Sequence, residues 1–332
     1  MEVIKVLCLL FLCCSFLTVA FAATTHKHSH NTKERLEDGS FSPKNSHHND
    51  GGEHHSEFDH EAILGSVKEA EEFDNLSPDE SKMRLGILVQ KMDLNADGFV
   101  ERHELKAWIL RSFKMLSQEE ANERFQDVDE NDDGAVTWQE YVKDTYGMES
   151  ENEIRRDSSE QYAEEESKLI EDDKVMFKAA DKNADNFLSP EEFVVFLSPE
   201  EHPEMLPIIL EQTLREKDKN GDGKIDFKEF VGDSAKHHDK EWLIVEKEKF
   251  DNEYDKDGDG HLNGAEILAW VVPSNDDVAT DEVEHLFASS DEDHDERLSY
   301  DEIISNYDTF VGSEATDYGD HLQNIHHFND EL

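Results

Sequence analysis

The chain has 332 residues, enough for two or three modest domains, and its 82 Asp and Glu residues far outnumber its 32 Lys and Arg. The formal charge of −50 disfavours partners that are themselves polyanions, so binding to nucleic acid or to an anionic membrane surface is not expected. All three cysteines, at positions 8, 13 and 14, lie near the amino terminus.

The amino-terminal residues predict a secretory signal sequence. Lys5 precedes an apolar run, and Ala20 and Ala22 stand in the A-x-A arrangement of a cleavage site, so residues 1–22 are expected to be removed. A membrane anchor is the alternative, but the run barely reaches the roughly 17 residues needed to span a bilayer. No direct membrane insertion is expected after cleavage, and the mature chain would have no cysteine for a disulfide.

Residues 23–60 are predicted to be a disordered segment, because eight histidines are scattered there among Ser, Asn, Gly and acidic residues. Clustered imidazoles suit zinc or copper. No fixed spacing supports a folded metal site, however, so a solvated tail is the favoured interpretation.

One glycosylation triplet follows this segment, Asn75-Leu76-Ser77. Pro78 comes directly after the triplet, and a proline at that place disfavours transfer of a glycan. Asn75 is therefore a weak candidate acceptor.

From residue 93 onward, one twelve-residue pattern occurs six times. Each copy begins with Asp, has Asp or Asn at positions 3 and 5, and ends with Glu at position 12. Ca²⁺ prefers six to eight hard oxygen ligands, which side chains at positions 1, 3, 5 and 12 and the backbone carbonyl of position 7 supply from one short segment. The pattern therefore predicts six calcium-binding EF-hand loops. The predicted ligands are Asp93, Asn95, Asp97, Phe99 and Glu104 in loop 1; Asp129, Asn131, Asp133, Ala135 and Glu140 in loop 2; Asp181, Asn183, Asp185, Phe187 and Glu192 in loop 3; Asp218, Asn220, Asp222, Lys224 and Glu229 in loop 4; Asp255, Asp257, Asp259, His261 and Glu266 in loop 5; and Asp291, Asp293, Asp295, Arg297 and Glu302 in loop 6.

Position 6 of such a loop makes a sharp turn that favours glycine. Loop 3 has Asn186 there, and Asn tolerates positive φ better than most residues. Loop 6 has Glu296, for which left-handed backbone geometry costs on the order of 1 kcal/mol. Loop 6 is therefore expected to bind more weakly than the others, or with a reshaped turn.

Position 8 is apolar in all six loops, as a half-buried strand bridge between paired loops requires. Apolar residues also recur four positions before and one position after each loop, which is typical of flanking helices, although loop 5 has Asp251 at the first of these places and Phe250 beside it. A single EF-hand unit (a hand) leaves its apolar face exposed to solvent. The predicted fold is therefore all-α, with six EF-hand helix-loop-helix units assembled as three pairs.

The longest interval between loops separates loop 2 from loop 3 and contains a charged, weakly apolar stretch. This interval is the predicted domain boundary. Loops 1 and 2 are then expected to pair within residues 61–148, followed by an acidic linker at 149–173. Loops 3 and 4 would pair within 174–235 and loops 5 and 6 within 236–312, which leaves a carboxy-terminal tail at 313–332.

The tail ends in Asn329, Asp330, Glu331 and Leu332, a close variant of the K-D-E-L and H-D-E-L retrieval signals that a receptor reads. Its first position departs from Lys or His. Together with the signal sequence, this ending predicts residence in the lumen of the endoplasmic reticulum, with the Golgi or secretion as further destinations.

Three segments outside the loops carry a family resemblance: FDHEAILG at 58–65, ESKMRL at 80–85 and FVGSEATDYGDHL at 310–322. With the loops, the signal sequence and the D-E-L ending, they resemble the CREC family of secretory-pathway EF-hand proteins, which comprises the reticulocalbins, calumenin and their relatives, with calumenin the nearest. The resemblance implies a luminal, low-affinity calcium binder that contacts client proteins and modulates luminal or membrane enzymes and pumps. The calcium ligands carry over to the residues already named, whereas the partner surfaces do not.

The predicted function is that of a low-affinity calcium-binding protein whose calcium-dependent folding supports client binding, in a chaperone-like role. A passive calcium buffer needs the same loops and remains an alternative. A calmodulin-like sensor would require a Met-rich groove, and only six methionines follow Met1. Catalysis is not predicted, because the sequence has no H-E-x-x-H, G-x-S-x-G or P-loop motif and no cysteine beyond the signal segment.

Overall fold

The computed structural model describes residues 40–45, 49–50, 53–54, 56–148 and 160–311. The predicted signal sequence, most of the His-rich segment and the NDEL ending lie outside these residues. The described part is mostly helical, which confirms the all-α class. The helices are α1 (Glu57–Leu64), α2 (Val67–Asp74), α3 (Pro78–Met92), α4 (Arg102–Val128), α5 (Trp138–Tyr146), α6 (Glu160–Ala180), α7 (Pro190–Leu197), α8 (Leu206–Lys217), α9 (Phe227–Val231), α10 (Lys240–Lys249), α11 (Gly264–Val271), α12 (Asn275–Ser290), α13 (Tyr300–Ser305) and α14 (Tyr307–Val311).

The strands are very short, and all but the first two lie inside the loops. They are β1 (Asn49–Asp50), β2 (Glu53–His54), β3 (Phe99–Glu101), β4 (Val136–Thr137), β5 (Phe187–Leu188), β6 (Ile225–Asp226), β7 (His261–Leu262) and β8 (Arg297–Ser299). Each loop strand contains the apolar residue of position 8. None of the helices in the described ranges is both long and apolar enough to cross a lipid bilayer.

The six loops form three antiparallel strand bridges, and in each bridge two position-8 residues face one another. Strand β3 of loop 1 pairs with β8 of loop 6, β4 of loop 2 with β5 of loop 3, and β6 of loop 4 with β7 of loop 5. Three pairs were predicted and three are present. The predicted partners were wrong, because the pairs are 1 with 6, 2 with 3 and 4 with 5. The facing residues are Val100 and Leu298, Val136 and Leu188, and Ile225 and Leu262.

Helix α4 explains why loops 1 and 2 do not pair. It leaves loop 1 and enters loop 2 as one continuous helix of 27 residues, Arg102–Val128. At 1.5 Å per residue such a helix is about 40 Å long, so the loops at its two ends cannot form a bridge. The sequence RHELKAWILRSFKMLSQEEANERFQDV has no Gly or Pro that would break it.

The predicted acidic linker at 149–173 is also wrong in its second half. Helix α6 begins at Glu160, so residues 160–173 belong to the helix that leads into loop 3. The charged interval therefore lies within a pair, between loops 2 and 3, and does not separate two domains. Helix α6 buries Ile170, Met176 and Phe177. Of its described acidic residues, Glu171 is exposed, whereas Asp173 is buried and accepts a hydrogen bond from the Tyr141 hydroxyl at 2.7 Å.

Two hydrophobic cores follow from this pairing. The first, called the 1–6 core, combines hands 1 and 6 with α1 and α2, and includes Ile63, Phe113 and Phe310. The second, called the 2–5 core, combines hands 2, 3, 4 and 5, and includes Phe196 and Phe250. Helix α4 belongs to both cores, because its first half contributes to the 1–6 core and its last turn contributes Phe125 and Val128 to the 2–5 core.

The irregular flank of loop 5 is explained by a π-helical turn, Phe250–Tyr254. In the other loops, the N–H of the first Asp donates to the carbonyl four residues earlier, whereas in loop 5 the Asp255 N–H donates to Phe250 O, five residues earlier, at 2.9 Å. The wider turn accommodates one extra residue. Phe250 is therefore fully buried and Asp251 points outward.

Part of the predicted disordered segment contributes to the fold. The side chain of Phe41 is 4 % exposed and belongs to the 2–5 core, and its N–H donates to Val271 O at 2.9 Å. Lys44 Nζ contacts Ser117 Oγ at 2.8 Å and Glu201 Oε1 at 3.0 Å. Residues 40–45 therefore form an ordered segment that packs against the 2–5 core. The prediction of disorder for 23–60 was wrong for this segment and for the start of α1.

A buried acidic pair joins α1 to α12 in the 1–6 core. Asp59 and Glu282 are 0 % and 2 % exposed, and the two carboxyl groups interact electrostatically. Nε2 of His285 lies 3.3 Å from Asp59 Oδ2. Burial raises the pKa of both carboxyl groups well above their ordinary values, and in Glu282 the neighbouring Asp59 charge raises it further. The folded protein therefore holds protons here that the unfolded chain releases.

This pair predicts a stability that falls as pH rises. Between the ordinary carboxyl pKa near 4 and the raised pKa, the folded state binds more protons than the unfolded state, so the free energy of unfolding decreases with pH, by about 1.4 kcal/mol per unit of pKa difference. Glu282→Gln, which imitates the protonated form, is expected to flatten this dependence and to raise the melting temperature most at pH 8. Thermal melts in saturating calcium from pH 6 to pH 8 measure it.

The matched control is Asp281→Asn, which removes an exposed acid one residue away on α12. It should leave the slope of melting temperature against pH unchanged. Equal slopes for wild type and Glu282→Gln would contradict the assignment.

Candidate calcium sites

The loops are held by a common set of backbone hydrogen bonds to their own acidic side chains. In loop 5, the Asp259 and Gly260 N–H groups donate to the two carboxylate oxygens of Asp255 at 3.2 and 2.9 Å, and the His261 N–H donates to Asp259 Oδ1 at 2.9 Å. The equivalent bonds are present in the other five loops. The chain therefore orients the predicted ligands of positions 1 and 5 by its own backbone.

The closing Glu of each loop has two structural roles. It is the third residue of the outgoing helix, where its side chain accepts the N–H of position 9 in a capping box, as Glu266 Oε2 does from Asn263 at 2.9 Å. In five loops its other oxygen accepts the N–H of position 2, as in the 2.8 Å bond from Lys256 to Glu266. In loop 2 that oxygen instead accepts a bond from the Asn131 side chain at 2.8 Å.

These closing residues are mostly buried, although they are acidic. Glu104 is 1 % exposed, Glu266 6 %, and Glu192 and Glu229 8 %. A buried carboxylate needs a compensating partner. The capping bonds supply part of this compensation, and a cation in the loop would supply the rest.

The two loops without glycine at position 6 keep the common turn. Asn186 and Glu296 have φ values of +68° and +64°, within the same left-handed region as the glycines of the other loops. The Glu296 N–H still donates to Asp291 Oδ2, at 3.2 Å against 2.8 to 2.9 Å elsewhere. Loop 6 therefore retains the shape of the other loops and accepts the strain of a left-handed Glu, rather than reshaping the turn.

In loops 5 and 6, carboxylate oxygens converge in the way that a hard cation requires. In loop 5, carboxylate oxygens of Asp255, Asp257 and Asp259 all lie within 4.8 Å of one another, and in loop 6 the same holds for Asp291, Asp293 and Glu302. The position-7 residues Phe99, Phe187, His261 and Arg297 begin the bridge strands. The donor set is entirely oxygen, which suits Ca²⁺ and not a soft metal.

Two side chains that reach a ligand from the neighbouring hand were not predicted. The Tyr300 hydroxyl in hand 6 donates to Asp93 Oδ2 of loop 1 at 2.9 Å, and Lys224 Nζ in loop 4 lies 2.7 Å from Asp259 Oδ2 of loop 5. Burial by itself raises the pKa of Asp93, but hydrogen bonds from the Gly98 N–H and the Tyr300 hydroxyl outweigh it and lower the pKa. No sequence signal could have found these contacts, because they depend on which loops pair.

Tyr300→Phe is expected to weaken calcium binding at loop 1 and to leave loop 2 unchanged. The hydroxyl fixes one oxygen of Asp93, and the loss of one hydrogen bond of about 0.5–1.5 kcal/mol corresponds to roughly a two- to tenfold loss of affinity. Calcium titration followed by NMR at the amides of Gly98 and Gly134, the position-6 glycines of loops 1 and 2, measures the two sites separately. An equal shift of both midpoints would contradict this positioning role.

The fold and the loops define an EF-hand calcium-binding protein, and comparison with known families agrees. The family described as EF-hand domain pair matches residues 170–233 and 247–307, and the family described as EF hand matches residues 90–110. These residues contain loops 1, 3, 4, 5 and 6. The structure adds that the strand bridges do not follow the order of the matched pairs.

Relatives that match most of the chain indicate the family more specifically than the EF-hand matches do. Reticulocalbin-2 of Crotalus adamanteus is 42 % identical over 287 residues, which cover 85 % of this chain and 93 % of the relative. Reticulocalbin-2 of Mus musculus is 40 % identical, with 85 % and 89 % covered, and Reticulocalbin-3 of Homo sapiens is 37 % identical, with 83 % and 84 % covered.

The chain therefore belongs to the reticulocalbin family of EF-hand calcium-binding proteins, and its cofactor is Ca²⁺. This confirms the predicted CREC resemblance. The expectation that calumenin is its nearest relative is corrected, because the matches point to the reticulocalbin branch.

Proposed function

We propose that this protein is a low-affinity calcium-binding protein of the lumen of the secretory pathway, above all of the endoplasmic reticulum, and that calcium makes it competent to bind client proteins. The clients are luminal proteins or membrane enzymes and pumps. The predicted signal sequence, the NDEL ending and the family support the location.

One observation carries the mechanism: the closing Glu, which is the predicted calcium ligand of position 12, is also a helix cap. The same carboxylate accepts the N–H of position 9, beside the strand bridge, and sits at the start of the outgoing helix. Binding of a cation therefore stabilises the loop, the helix start and the bridge to the paired hand together. Loops of the extracellular type bind at roughly 10⁻⁴ to 10⁻³ M, so their occupancy responds where calcium is abundant.

A calmodulin-like switch has little support in the structure. Such a switch exposes a Met-rich groove, whereas Met92, Met148, Met176 and Met205 are buried in the cores and only Met83 and Met115 of the described methionines are exposed. Passive buffering remains the second candidate, because it requires only the loops.

Crosslinking inside the lumen, with and without calcium, separates a regulator from a buffer. Changing Glu104, Glu140, Glu229 and Glu266 to Gln should abolish saturable crosslinks to partner proteins. The control variant changes four exposed Glu outside the loops to Gln, at positions 69, 72, 120 and 211, and should retain the crosslinks. If the wild type forms no saturable crosslink in calcium, the protein is a buffer and the proposal of client binding is wrong.

A further inference from the structure

A groove of about 1200 Å³ lies between hands 4 and 5, beside calcium loop 4. We call it the lysine groove, because lysines from six elements line it. Helices α6, α8, α9 and α10, the short 3₁₀ helix Gly232–Lys236 and loop 4 itself all contribute. The lining lysines are Lys168, Lys217, Lys219, Lys228, Lys236 and Lys249.

The charge of this groove differs from that of the rest of the protein. Acidic residues exceed basic residues 82 to 32 in the whole chain, whereas six lysines and five acids line the groove. Four of the five acids are already engaged. Asp226 caps α9, Glu229 closes loop 4, Asp233 contacts Lys236 at 2.5 Å, and Glu246 contacts Lys249 at 2.9 Å.

Three of the lysines form no direct ion pair with an acid, although Lys168 interacts electrostatically with Asp172 and Lys219 with Asp233. Within the described part of the chain, Lys168, Lys219 and Lys228 form no ion pair, and Lys219 Nζ donates to a neutral backbone carbonyl, Glu216 O, at 2.6 Å. The remaining acid, Glu216, lies 3.9 Å from Lys217. The groove is therefore lined by one more lysine than acids, in a protein in which acids exceed bases 82 to 32.

The shape and floor of the groove favour a peptide over a small molecule. Its volume exceeds the roughly 300–1000 Å³ of usual small-ligand pockets. The floor contains Phe230 and Val231, 3 % and 8 % exposed, and the half-buried ring of Trp242. An extended segment could place acidic side chains against the lysines and an apolar side chain on this floor.

Calcium in loop 4 would change the groove directly. Glu229, the closing ligand, and Asn220, the position-3 ligand, both line the groove. A bound Ca²⁺ would neutralise the carboxylates of loop 4, and would thereby raise the electrostatic potential next to Lys219 and Lys228. The repulsive charge of the rest of the chain is screened beyond about 8 Å at physiological salt, so the nearby lysines dominate at the groove.

From these observations we infer that the lysine groove binds an extended acidic peptide segment of a client, and that this binding requires calcium in loop 4. The inference rests on the proposed function and names the chemistry of its partner. Charge complementarity selects the occupant, because three lysines without a direct ion pair face an open groove with an apolar floor.

Binding of a short fluorescein-labelled peptide of Asp and Glu with one central Leu, measured by anisotropy on the mature full-length protein, tests this inference. Lys168, Lys219 and Lys228 changed together to Gln should lower the affinity in calcium about tenfold, as expected for three exposed ion pairs. The control changes the exposed Lys91, Lys114 and Lys178 to Gln and should alter the affinity less than twofold. Chelation of calcium, or Glu229→Gln, should remove binding.

Several results would overturn the inference. These are equal losses in the two triple variants, binding that persists without calcium, and binding of an Asn and Gln version of the peptide with the same affinity. If binding appears only after residues 312–332 are removed, the occupant is the chain's own acidic tail and not a client. If the groove triple keeps all luminal crosslinks while the closing-Glu variant loses them, the groove assignment fails and the proposed function stands.

Discussion

Val100→Asp is expected to remove calcium binding at both loop 1 and loop 6, at opposite ends of the described chain. Val100 is fully buried in the bridge opposite Leu298. An unpaired carboxylate at this place costs several kcal/mol, a large fraction of the roughly 5–15 kcal/mol that stabilises a domain. The bridge and the 1–6 core should therefore open together, while hands 2 to 5 remain folded.

Calorimetric calcium titration of this variant should show two sites fewer than wild type. A second substitution in the Val100→Asp variant shows which two calcium sites were lost. Adding Glu302→Gln should remove no further site, because loop 6 is already lost, whereas adding Glu140→Gln should remove one more. Leu94→Asp is the matched control, because Leu94 is in the same loop but is 70 % exposed, and it should keep loop 6 intact. Loss of loop 2 in place of loop 6 would contradict the 1–6 bridge.

Chelation of calcium is expected to remove a large part of the helical circular dichroism and to expand the chain. In each loop, acidic groups face one another without a cation, and several of them are buried, such as Glu104 and Asp93 at 1 % and 5 % exposure. At ten times each dissociation constant, one site that binds only the folded state contributes about 1.4 kcal/mol, so six sites give roughly 8 kcal/mol. This sum is comparable to the whole stability of a domain.

Far-UV circular dichroism and small-angle X-ray scattering, with calcium and with a chelator, measure this effect. Sodium chloride at high concentration without calcium is the control, because it screens repulsion between carboxylates but cannot ligate them. It should restore only a small part of the signal. Superimposable spectra and scattering curves in the two conditions would refute calcium-dependent folding.

The local features of the fold could be predicted because they depend on neighbouring residues. The twelve-residue spacing places the ligands, and the apolar residue at position 8 marks the bridge strand. The N-cap residue at position 9 and the Glu at position 12 form a capping box, as Ser299 and Glu302 show. Each of these signals lies within one short segment of sequence, so no knowledge of the tertiary fold is required.

The pairing of loops could not be predicted in this way, because it depends on how far apart rigid helices hold them. The spacing of the loops suggested that loops adjacent in sequence pair, whereas the unbroken helix α4 holds loops 1 and 2 apart. In loop 5, the buried flanking residue is Phe250 instead of Asp251 because of a π-helical turn, which the sequence pattern does not indicate. Phe41 was missed because it lies in a segment whose composition suggests disorder. The Tyr300 and Lys224 contacts to ligands of other loops depend on the pairing and could be found only in the structure.

The bridge between β3 and β8 has a consequence for synthesis. Almost two hundred residues separate its two strands, and a ribosome adds about 5–20 residues per second, so the first hand waits roughly ten to forty seconds for its partner to be translated. During that time the nascent chain carries an uncovered apolar face. A truncated product that stops before β8 lacks the strand that completes the bridge, so this face is covered only after hand 6 has been translated.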